Sequence, residues 1–314
     1  MSSDSRRSSL VIGSRGSRLA LWQAEWVRAR IQELAPHFQV TVRRIQTSGD
    51  KIVDVPLAKI GGKGLFVKEI EEALLRREID LAVHSMKDVP SVLPEGLAIV
   101  CVPEREDPRD AVVSCHRRTL AQLNEGASIG TSSLRRQAQL LHYRQDFRVT
   151  MLRGNLDTRL RKAENGAFDA VVVAAAGLRR LGWTDHVTEY LSPTLSLPAI
   201  GQGALGIEGR SDDEVVKGLL APLDHLPTRR AVTAERAFLA RLEGGCQVPI
   251  AGHAVLKDQT LILEGLIASV DGTRYVRDRV EGQVDEAEQL GAALAERLLE
   301  AGGRPILDEV YGSV

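Results

Sequence analysis

Short apolar runs alternate with amphipathic helical patterns along most of this chain. A first strand is predicted to begin at residues 10–12, a helix follows over about 19–34, and a second strand runs over 39–45. Strands that alternate with helices in this way build βαβ units around a largely parallel sheet. The pattern therefore predicts an α/β fold.

The alternation is interrupted at 48–64 by a glycine-rich stretch with little regular periodicity. Phe66, Ile70 and Leu74 then recur every fourth residue and predict a helix, and residues 80–84 are typical of a buried strand. An irregular segment as long as 48–64 is usually functional, so we expect it to contribute to a site.

A second cycle indicates another α/β lobe, with strands at 111–113, 149–152 and 169–174 and helices at about 134–142 and 156–164. From residue 228 the pattern changes to a helix reaching about 242, alternating strands across 248–280 and a final helix over 285–301. This part predicts a third, α+β domain. The chain of 314 residues is also too long for one core, because hydrophobic cores stop growing near about 250 to 300 residues.

Charge and cysteine content exclude several classes of protein. The 41 Lys and Arg residues balance 42 Asp and Glu residues, so the net charge of -1 offers no bulk attraction to nucleic acid or an anionic membrane. No signal-peptide pattern or membrane-spanning apolar stretch is present in the sequence. Cys101, Cys115 and Cys246 are odd in number and widely spaced, which fits a reducing compartment. We expect a cytoplasmic protein without nucleic-acid or membrane partners.

The segment HSMKDVP at 84–90 lies where a buried strand is predicted to end. Ligands of open α/β sheets bind outside the carboxyl ends of strands, so Asp88 is well placed for chemistry. The alternative is that Asp88 is a turn or capping aspartate. Lys87 is adjacent in sequence and points to a different target. His84 is predicted to be a hydrogen-bonded structural histidine, since no metal-ligand spacing surrounds it, and we expect no metal.

The segment GTSSLRR at 130–136 places three hydroxyl residues and two arginines where a helix starts. Free helix amides, hydroxyls and guanidinium groups together make an anion site. Arg15, Arg153 and Arg159 also follow predicted strands. Each arginine alone could lie on a solvated surface, but the group suggests a ligand with several carboxylates or phosphates.

Two glycine-rich strings do not fit the nucleotide motifs that they resemble. GQGALG at 201–206 satisfies GxGxxG, but Pro198 precedes it and a strand, not a helix, is predicted to follow through Leu205 and Ile207. GGKG at 61–64 lacks the spacing and the Ser or Thr of a P-loop. Neither string predicts a nucleotide site.

Cys246 lies in EGGCQVP at 243–249, between a predicted helix and a predicted strand. The flanking glycines would leave its sulfur approachable, although a buried structural thiol fits the spacing equally well. Cys101, within the apolar run LAIVCV, is predicted to be a core residue.

Five motifs in order resemble the porphobilinogen deaminase (hydroxymethylbilane synthase) family: HSMKDVP at 84–90, EREDPRDA at 104–111, GTSSLRRQ at 130–137, LRGN at 152–155 and EGGCQVPI at 243–250. Arg15, the LWQA string at 21–24 and the GGKGLF string resemble it too. The resemblance reaches from about Leu10 into the third domain, and residues after about 257 carry no matching motif.

The resemblance implies a transferase of tetrapyrrole and haem biosynthesis. Members of the family join four porphobilinogen molecules head to tail, release ammonia each time, and then hydrolyse off linear hydroxymethylbilane. They assemble a dipyrromethane cofactor from two substrate units and hold it by a thioether to the loop cysteine, here Cys246. Because porphobilinogen carries an acetate and a propionate, an arginine-rich cleft suits it.

The family fold implies two lobes that resemble type II periplasmic binding proteins, with the active cleft between them and a smaller C-terminal α+β domain that presents the cysteine. On this basis, domain 1 would comprise residues 1–103 and 200–221, domain 2 residues 104–199, and domain 3 residues 222–314.

By motif match, Asp88 is the catalytic aspartate. The resemblance assigns cofactor and substrate binding to further basic and hydroxyl residues, namely Arg15, Ser17, Lys63, Ser85, Lys87, Ser133, Arg135, Arg136, Arg153, Arg159 and Arg180. The stretch over 48–64 resembles a mobile lid. A monomer is expected.

Two other classes of function fit parts of the sequence. A two-lobed cytosolic anion- or solute-binding module would use the same arginines without chemistry, but it needs neither an exposed cysteine loop nor a third domain. An anion-sensing regulator fits less well. Bound pyrrole units on the purified chain would distinguish the enzyme from both.

Overall fold

The structure, a computed structural model, describes residues 7–51, 64–242 and 248–312. Lys63 and Cys246 lie outside these ranges, as does most of the stretch predicted to be a lid. The chain divides into two compact units. The first contains the described residues of Met1–Asp54, Gly62–Arg105 and Ala204–Arg229, and the second contains those of Glu106–Gly203 and Arg230–Val314.

The strands of the described ranges form three sheets. In chain order they are β1 (Ser9–Ser14), β2 (Gln39–Arg44), β3 (Leu81–Ser85), β4 (Leu97–Cys101), β5 (Asp110–Val113), β6 (Ser128–Gly130), β7 (Arg148–Thr150), β8 (Ala170–Ala174), β9 (Glu189–Tyr190), β10 (Leu205–Arg210), β11 (Ile250–Lys257), β12 (Thr260–Ala268) and β13 (Tyr275–Gln283).

The α-helices of the same ranges are α1 (Arg18–Leu34), α2 (Ser48–Lys51), α3 (Lys68–Leu75), α4 (Leu134–Tyr143), α5 (Leu156–Glu164), α6 (Ala175–Arg180), α7 (Glu214–Leu220), α8 (Leu226–Arg241), α9 (Ala287–Leu298) and α10 (Arg304–Gly312). Short 3₁₀ turns join several of them. None of the described helices combines the length and the apolar character that a membrane span needs.

The first unit is built on a five-stranded sheet of order β2-β1-β3-β10-β4. β1 runs parallel to β2 and β3, whereas β10 is antiparallel to β3 and β4. Helix α1 packs on this sheet through Ala24, Val27 and Ile31, which recur at helical spacing and are fully buried. These apolar faces place the strand ends of β1 and β3 on a rigid core.

The second unit contains two sheets. One has the order β7-β6-β8-β5-β9, in which β6 is parallel to β7 and β8 while β5 is antiparallel to β8. It repeats the arrangement of the first sheet, with three parallel strands followed by an antiparallel fourth. The other is the antiparallel sheet β11-β12-β13, whose apolar face packs against α8 and α9 through Phe238 and Leu294. The predicted α/β lobes and the smaller α+β part are therefore confirmed.

The string GQGALG leads into a strand, as predicted, and no helix opens on it. Gly203 has φ +89°, and a side-chain carbon there would lie 2.3 Å from the carbonyl oxygen of Glu106. The Glu106 amide in turn donates to the Gly203 carbonyl at 3.1 Å. This glycine therefore permits a close approach of two backbone segments.

The C-terminal helix differs from its prediction over 285–301. Helix α9 covers Ala287–Leu298, the chain changes direction at Gly302, and a separate helix α10 follows. The apolar pattern continues across the kink because Leu299, Ile306 and Leu307 are all buried in the same core. A pattern of burial alone does not reveal where the backbone bends.

Candidate active site

Asp88 lies in a 3₁₀ turn, Met86–Asp88, that follows the buried strand β3 directly. The turn is anchored because Met86 is buried and its amide donates to the carbonyl of Ala204 at 3.0 Å. Asp88 itself is half-buried. Within the described ranges its carboxylate makes no hydrogen bond or ion pair. A turn or capping aspartate would accept hydrogen bonds from the turn. Asp88 accepts none among the described residues, so the alternative interpretation is not supported.

Two serines predicted to bind ligand already have hydrogen-bond partners. Ser17 caps α1 by accepting a hydrogen bond from the Ala20 amide at 3.3 Å. Ser85 accepts a hydrogen bond at 3.0 Å from the side-chain amide of Gln23, which α1 buries against β3. These contacts fix the positions of both hydroxyl groups.

Arg15 follows β1 and is held by two side chains. Its Nη2 donates to Asp50 Oδ1 at 2.5 Å, and its guanidinium carbon lies 4.2 Å from the centre of the Phe66 ring. Burial opposes ionisation of Asp50, but hydrogen bonds from Arg15 and Thr47 outweigh it and keep the pKa of this carboxyl below its ordinary value. Asp50 is therefore an anion at neutral pH.

His84 is confirmed as a structural histidine. Its Nε2 lies 2.9 Å from Glu208 Oε2 on the neighbouring strand β10, and both side chains are buried. Glu71 of α3 is buried close to this pair. Burial, together with the negative charge of Glu208, raises the pKa of Glu71 to about 7, although His84 opposes the shift.

In the second unit, the start of α4 is organised by the predicted hydroxyl residues. Ser133 caps the helix and accepts from the Arg136 amide at 3.4 Å. Thr131 accepts from the Ser133 amide at 3.3 Å, and Ser132 donates to the carbonyl of Leu152. The predicted helix start is therefore confirmed, and its hydroxyl groups serve to build it.

Arg135 and Arg136 both pair with one buried carboxylate, Asp110 of β5. Arg135 Nη2 lies 2.9 Å from Asp110 Oδ2, and Arg136 Nη2 lies 2.8 Å from Asp110 Oδ1. Ser196 and Gln202 also donate to Asp110, at 2.7 Å and 2.9 Å. Burial opposes ionisation of Asp110, but the two guanidinium groups outweigh it and lower the pKa of the carboxyl.

This cluster is not electrically balanced, because one carboxylate faces two guanidinium groups. Arg135 Nε is also buried without a hydrogen-bond partner among the described residues. A buried donor without a partner is costly, and a further acceptor beside Arg135 Nε would remove that cost.

The remaining predicted arginines are partly buried. Arg153 lies in the loop after β7, and Arg159 Nε donates to the carbonyl of Gly154 at 2.8 Å. Arg180 Nη2 donates to the carbonyl of Gly203 at 2.7 Å, and burial lowers the pKa of Arg180 to about 10. Lys87 is partly buried beside Asp88.

Comparison with known proteins assigns the chain to a family. Residues 10–218 match the family model described as "Porphobilinogen deaminase, dipyromethane cofactor binding domain", and residues 229–300 match "Porphobilinogen deaminase, C-terminal domain". The chain belongs to the porphobilinogen deaminase family.

Curated relatives agree with this assignment. The porphobilinogen deaminase of Pelobacter propionicus is 59% identical over 302 residues, which cover 96% of this chain and 97% of the relative. That of Geobacter sulfurreducens is also 59% identical and covers 96% of this chain and 95% of its own length.

Solved structures similar to this chain include periplasmic binding proteins. An arginine-specific one from Salmonella typhimurium has a TM-score of 0.40 at 14% identity, covering 69% of this chain and 91% of its own. The aliphatic sulphonate binding protein SsuA of Escherichia coli has a TM-score of 0.42 at 12% identity, covering 92% and 87%.

The described residues suit the dipyrromethane cofactor of porphobilinogen deaminases. Each of its two pyrrole rings carries an acetate and a propionate, so it needs cationic and hydrogen-bonding partners. The excess positive charge beside Asp110 and the unpartnered Arg135 Nε are chemically matched to such a carboxylate.

Several residues that organise these sites were not predicted from the sequence to do so, although Phe66 was named there as part of a helical pattern. Asp50 and Phe66 hold Arg15, Asp110 and Gln202 hold the arginine pair, and Gln23 holds Ser85. Asp110 and Gln23 lie within strings that resemble the family, EREDPRDA and LWQA. Phe66 lies within GGKGLF, which also resembles the family. The contacts themselves could not be predicted, because the partners are distant in sequence.

Proposed function

We propose that Asp88 is the catalytic carboxylate of this chain and that Cys246 is its point of cofactor attachment. The chain is a transferase of tetrapyrrole biosynthesis that condenses four porphobilinogen molecules head to tail, with release of ammonia, and then releases linear hydroxymethylbilane by hydrolysis.

The proposal rests on the carboxylate of Asp88, which has no hydrogen-bond or ion-pair partner among the described residues. Loss of ammonia from porphobilinogen leaves an electron-poor cation, and a fixed carboxylate stabilises that charge and accepts a hydrogen bond from the pyrrole N–H. Asp88 is half-buried on an anchored turn and has no described partner. A carboxylate in this state can also accept a proton as the attacked ring regains aromaticity.

Carboxylate recognition is assigned to the basic residues that follow strands or lie near the starts of helices. Arg15, Arg153, Arg159 and Arg180 would bind carboxylates directly, together with Lys63 and Lys87, while Ser17, Ser85 and Ser133 would supply hydroxyl groups. Planar guanidinium groups suit this task because they bind a carboxylate with two parallel hydrogen bonds.

Arg135 and Arg136 have a more limited part in this proposal. Most of their donors are already bonded to Asp110 and to the carbonyls of Leu197 and Val172. Only the donors left over, among them Arg135 Nε, would bind a cofactor carboxylate. Their main contribution would be positive charge in a site with little water.

Cys246 would hold dipyrromethane through a thioether. When bound, dipyrromethane supplies the pyrrole carbon to which the first substrate unit is added. The chain's own contribution is to fix the attachment point, to neutralise the accumulating carboxylates with arginine, and to hold the Asp88 carboxylate against the cation.

The wider arrangement completes the proposal. Residues 1–103 and 200–221 would form domain 1, residues 104–199 domain 2, and residues 222–314 domain 3. The separate sheets support these boundaries, because β10 completes the first sheet and β11–β13 form their own. We also propose that the chain acts as a monomer in the cytoplasm, with porphobilinogen as its substrate and without nucleic acid.

Asp88→Asn tests the assignment of the catalytic carboxylate. The substitution keeps the shape of the side chain but removes its charge, so kcat should fall by about 10²- to 10³-fold, the usual effect of losing one electrostatic group. Porphobilinogen should still bind. The assay measures ammonia release and bilane formation against substrate concentration.

Asp185→Asn is the matched control, because Asp185 also lies in a 3₁₀ turn but is exposed. It should keep normal kinetics. Near-normal turnover by Asp88→Asn would remove Asp88 from the mechanism.

A further inference from the structure

We propose that Asp50 is a positioning residue, which orients the guanidinium group of Arg15 so that one defined edge remains for a ligand carboxylate. The inference rests on the proposed function of Arg15. It adds that the selectivity of Arg15 depends on a second carboxylate within the chain.

Two contacts together fix the orientation of the Arg15 side chain. The Phe66 ring lies 4.2 Å from the guanidinium carbon, so the aromatic face restrains the plane of the group. Asp50 restrains rotation within that plane, since its Oδ1 lies 3.2 Å from Arg15 Nε and 2.5 Å from Nη2. A planar group restrained in both ways has one orientation.

The contacts with Asp50 and Phe66 leave some N–H donors of Arg15 for a ligand. Asp50 occupies the edge formed by Nε and Nη2, whereas Nη1 has no hydrogen-bond partner in the described part of the chain. The end of the guanidinium group, formed by Nη1 and Nη2, therefore still offers two parallel N–H bonds. This geometry matches the two oxygens of a carboxylate that approaches end-on.

Asp50 is itself held in place. Its Oδ2 accepts a hydrogen bond from the Thr47 hydroxyl at 2.8 Å. The helical turn α2 that carries Asp50 is packed closely, because a side-chain carbon at Gly49 would lie 2.3 Å from the Phe66 ring. The Gly49 amide also donates to the Leu65 carbonyl at 2.8 Å. Asp50 and Phe66 thus form one braced support.

A second brace on the same turn does not involve Arg15. Glu69 accepts hydrogen bonds from both the amide and the hydroxyl of Ser48, the former at 2.8 Å. Glu69 therefore stabilises α2 in the way that Asp50 does, but without contacting the guanidinium group. It provides a control that separates stabilisation of the turn from orientation of Arg15.

Asp50→Asn tests the proposal. An amide carries no negative charge, so the short contact with Arg15 Nη2 is no longer charge-assisted. Its NH2 group would also take the place of the Oδ2 atom that accepts from the Thr47 hydroxyl, which weakens the support of Asp50 itself. We expect KM for porphobilinogen to rise about tenfold, the scale of one charge-assisted hydrogen bond, while kcat changes by less than about threefold. Asp50→Glu should recover part of the loss. Glu69→Gln should leave KM within about twofold of the unmodified chain, since Glu69 bonds to Ser48 and not to the guanidinium group of Arg15.

Intact mass and melting temperature accompany the kinetics. The mass gives the fraction of each variant that carries cofactor, so kcat can be expressed per loaded molecule. The melting temperature shows whether Asp50→Asn and Glu69→Gln destabilise the fold equally. The positioning role predicts similar melting temperatures but different KM values.

A double-mutant cycle with Arg15→Ala decides among the outcomes. If Asp50 acts through Arg15, Asp50→Asn adds less than about twofold to the KM of Arg15→Ala. Equal KM increases in Asp50→Asn and Glu69→Gln would overturn the proposal by reducing Asp50 to a brace of the turn. An unchanged or lower KM in Asp50→Asn, with a raised KM in Arg15→Ala, would also overturn it but leave the role of Arg15 intact. An unchanged KM in Arg15→Ala would instead reject the proposed function of Arg15 itself.

Discussion

Arginine residues that look equivalent in the sequence differ in how many of their donors remain for a ligand. Arg135 and Arg136 are buried and share Asp110, whereas Arg15 uses one edge on Asp50 and keeps the other. Replacing a buried partner of an ion pair costs about 3 to 5 kcal/mol of stability. Substitution of Arg136 would therefore confuse a loss of folding with a loss of binding.

Arg153→Lys tests bidentate binding of a ligand carboxylate better than a substitution of Arg136 does. Lysine keeps the positive charge but lacks the planar fork, so a bidentate contact loses about 1.5 to 3 kcal/mol and KM should rise roughly 10- to 150-fold. Steady-state kinetics of the variant against porphobilinogen measure this change. Added salt should alter the difference little if the site is partly closed to water.

Arg241→Lys is the control for Arg153→Lys, because Arg241 pairs with Glu296 on the surface of the third sheet's helices. Exposed pairs of this kind contribute about 0 to 1 kcal/mol, so its kinetics should not change. Equal kinetics in Arg153→Lys and Arg241→Lys would show that Arg153 does not bind a substrate carboxylate.

The site residues could be predicted from the sequence only in part. Asp88, Arg15 and Ser133 stand at strand ends or helix starts, which local patterns reveal. Their partners could not be found in this way, because Asp50 and Asp110 reach arginines 35 and 25 residues away. Charge pairing over such separations depends on how the chain folds back, and no periodicity records it.

At the scale of single elements, strand β3 leads to the proposed catalytic residue Asp88 and also contains a buried, ionisable residue, His84. The strand continues into the turn that carries Asp88, while His84 pairs with Glu208 beneath it and Glu71 is buried close by on α3. The Oε1 atoms of Glu71 and Glu208 are both buried without a hydrogen-bond partner in the described ranges. Ionisation of Glu71 therefore adds charge to a buried cluster that is poorly supplied with donors.

Glu71→Gln should stabilise the protein at high pH but not at low pH. Below the ordinary pKa of 4.5, Glu71 is protonated in both the folded and the unfolded chain. Between 4.5 and about 7 the unfolded chain ionises first, so the free energy of unfolding of the parent falls as the pH rises. Above pH 7 the loss is complete and amounts to at most about 3 kcal/mol.

Melting temperatures of Glu71→Gln and the parent at pH 5 and pH 8 measure this effect. The melting temperature of the variant minus that of the parent should be several degrees larger at pH 8 than at pH 5. The reason is that about 1 kcal/mol shifts the midpoint by about 2 °C in a chain of this size. The same difference at both pH values would show that Glu71 does not titrate in this range.

Elements with strong periodicity were predicted well, whereas two of the short strands, β6 and β9, were not predicted. Helix α1 and strand β3 lie within one or two residues of their predicted bounds, because their apolar patterns are regular. Strand β6 has only three residues, Ser128–Gly130, and strand β9 has two. Such strands are specified by pairing with their neighbours, which a local pattern does not contain.

At the scale of the whole molecule, the two five-stranded sheets share one arrangement, and in each the fourth strand is antiparallel. Along the sequence, β10 of the first sheet comes after the five strands β5 to β9 of the second sheet. The third sheet is a simple meander of consecutive strands. Each domain proposed for this enzyme therefore has its own sheet.

The intact mass of the purified protein tests the central claim most directly. If Cys246 holds a dipyrromethane, the parent should exceed the mass of its chain by two linked pyrrole units, and Cys246→Ser should have the bare chain mass because a hydroxyl is a much weaker nucleophile than a thiol. Cys101 is a buried core thiol, and burial raises its pKa to about 12, so Cys101→Ser should keep the added mass. A parent without added mass, or a Cys246→Ser variant that retains it, would contradict the account.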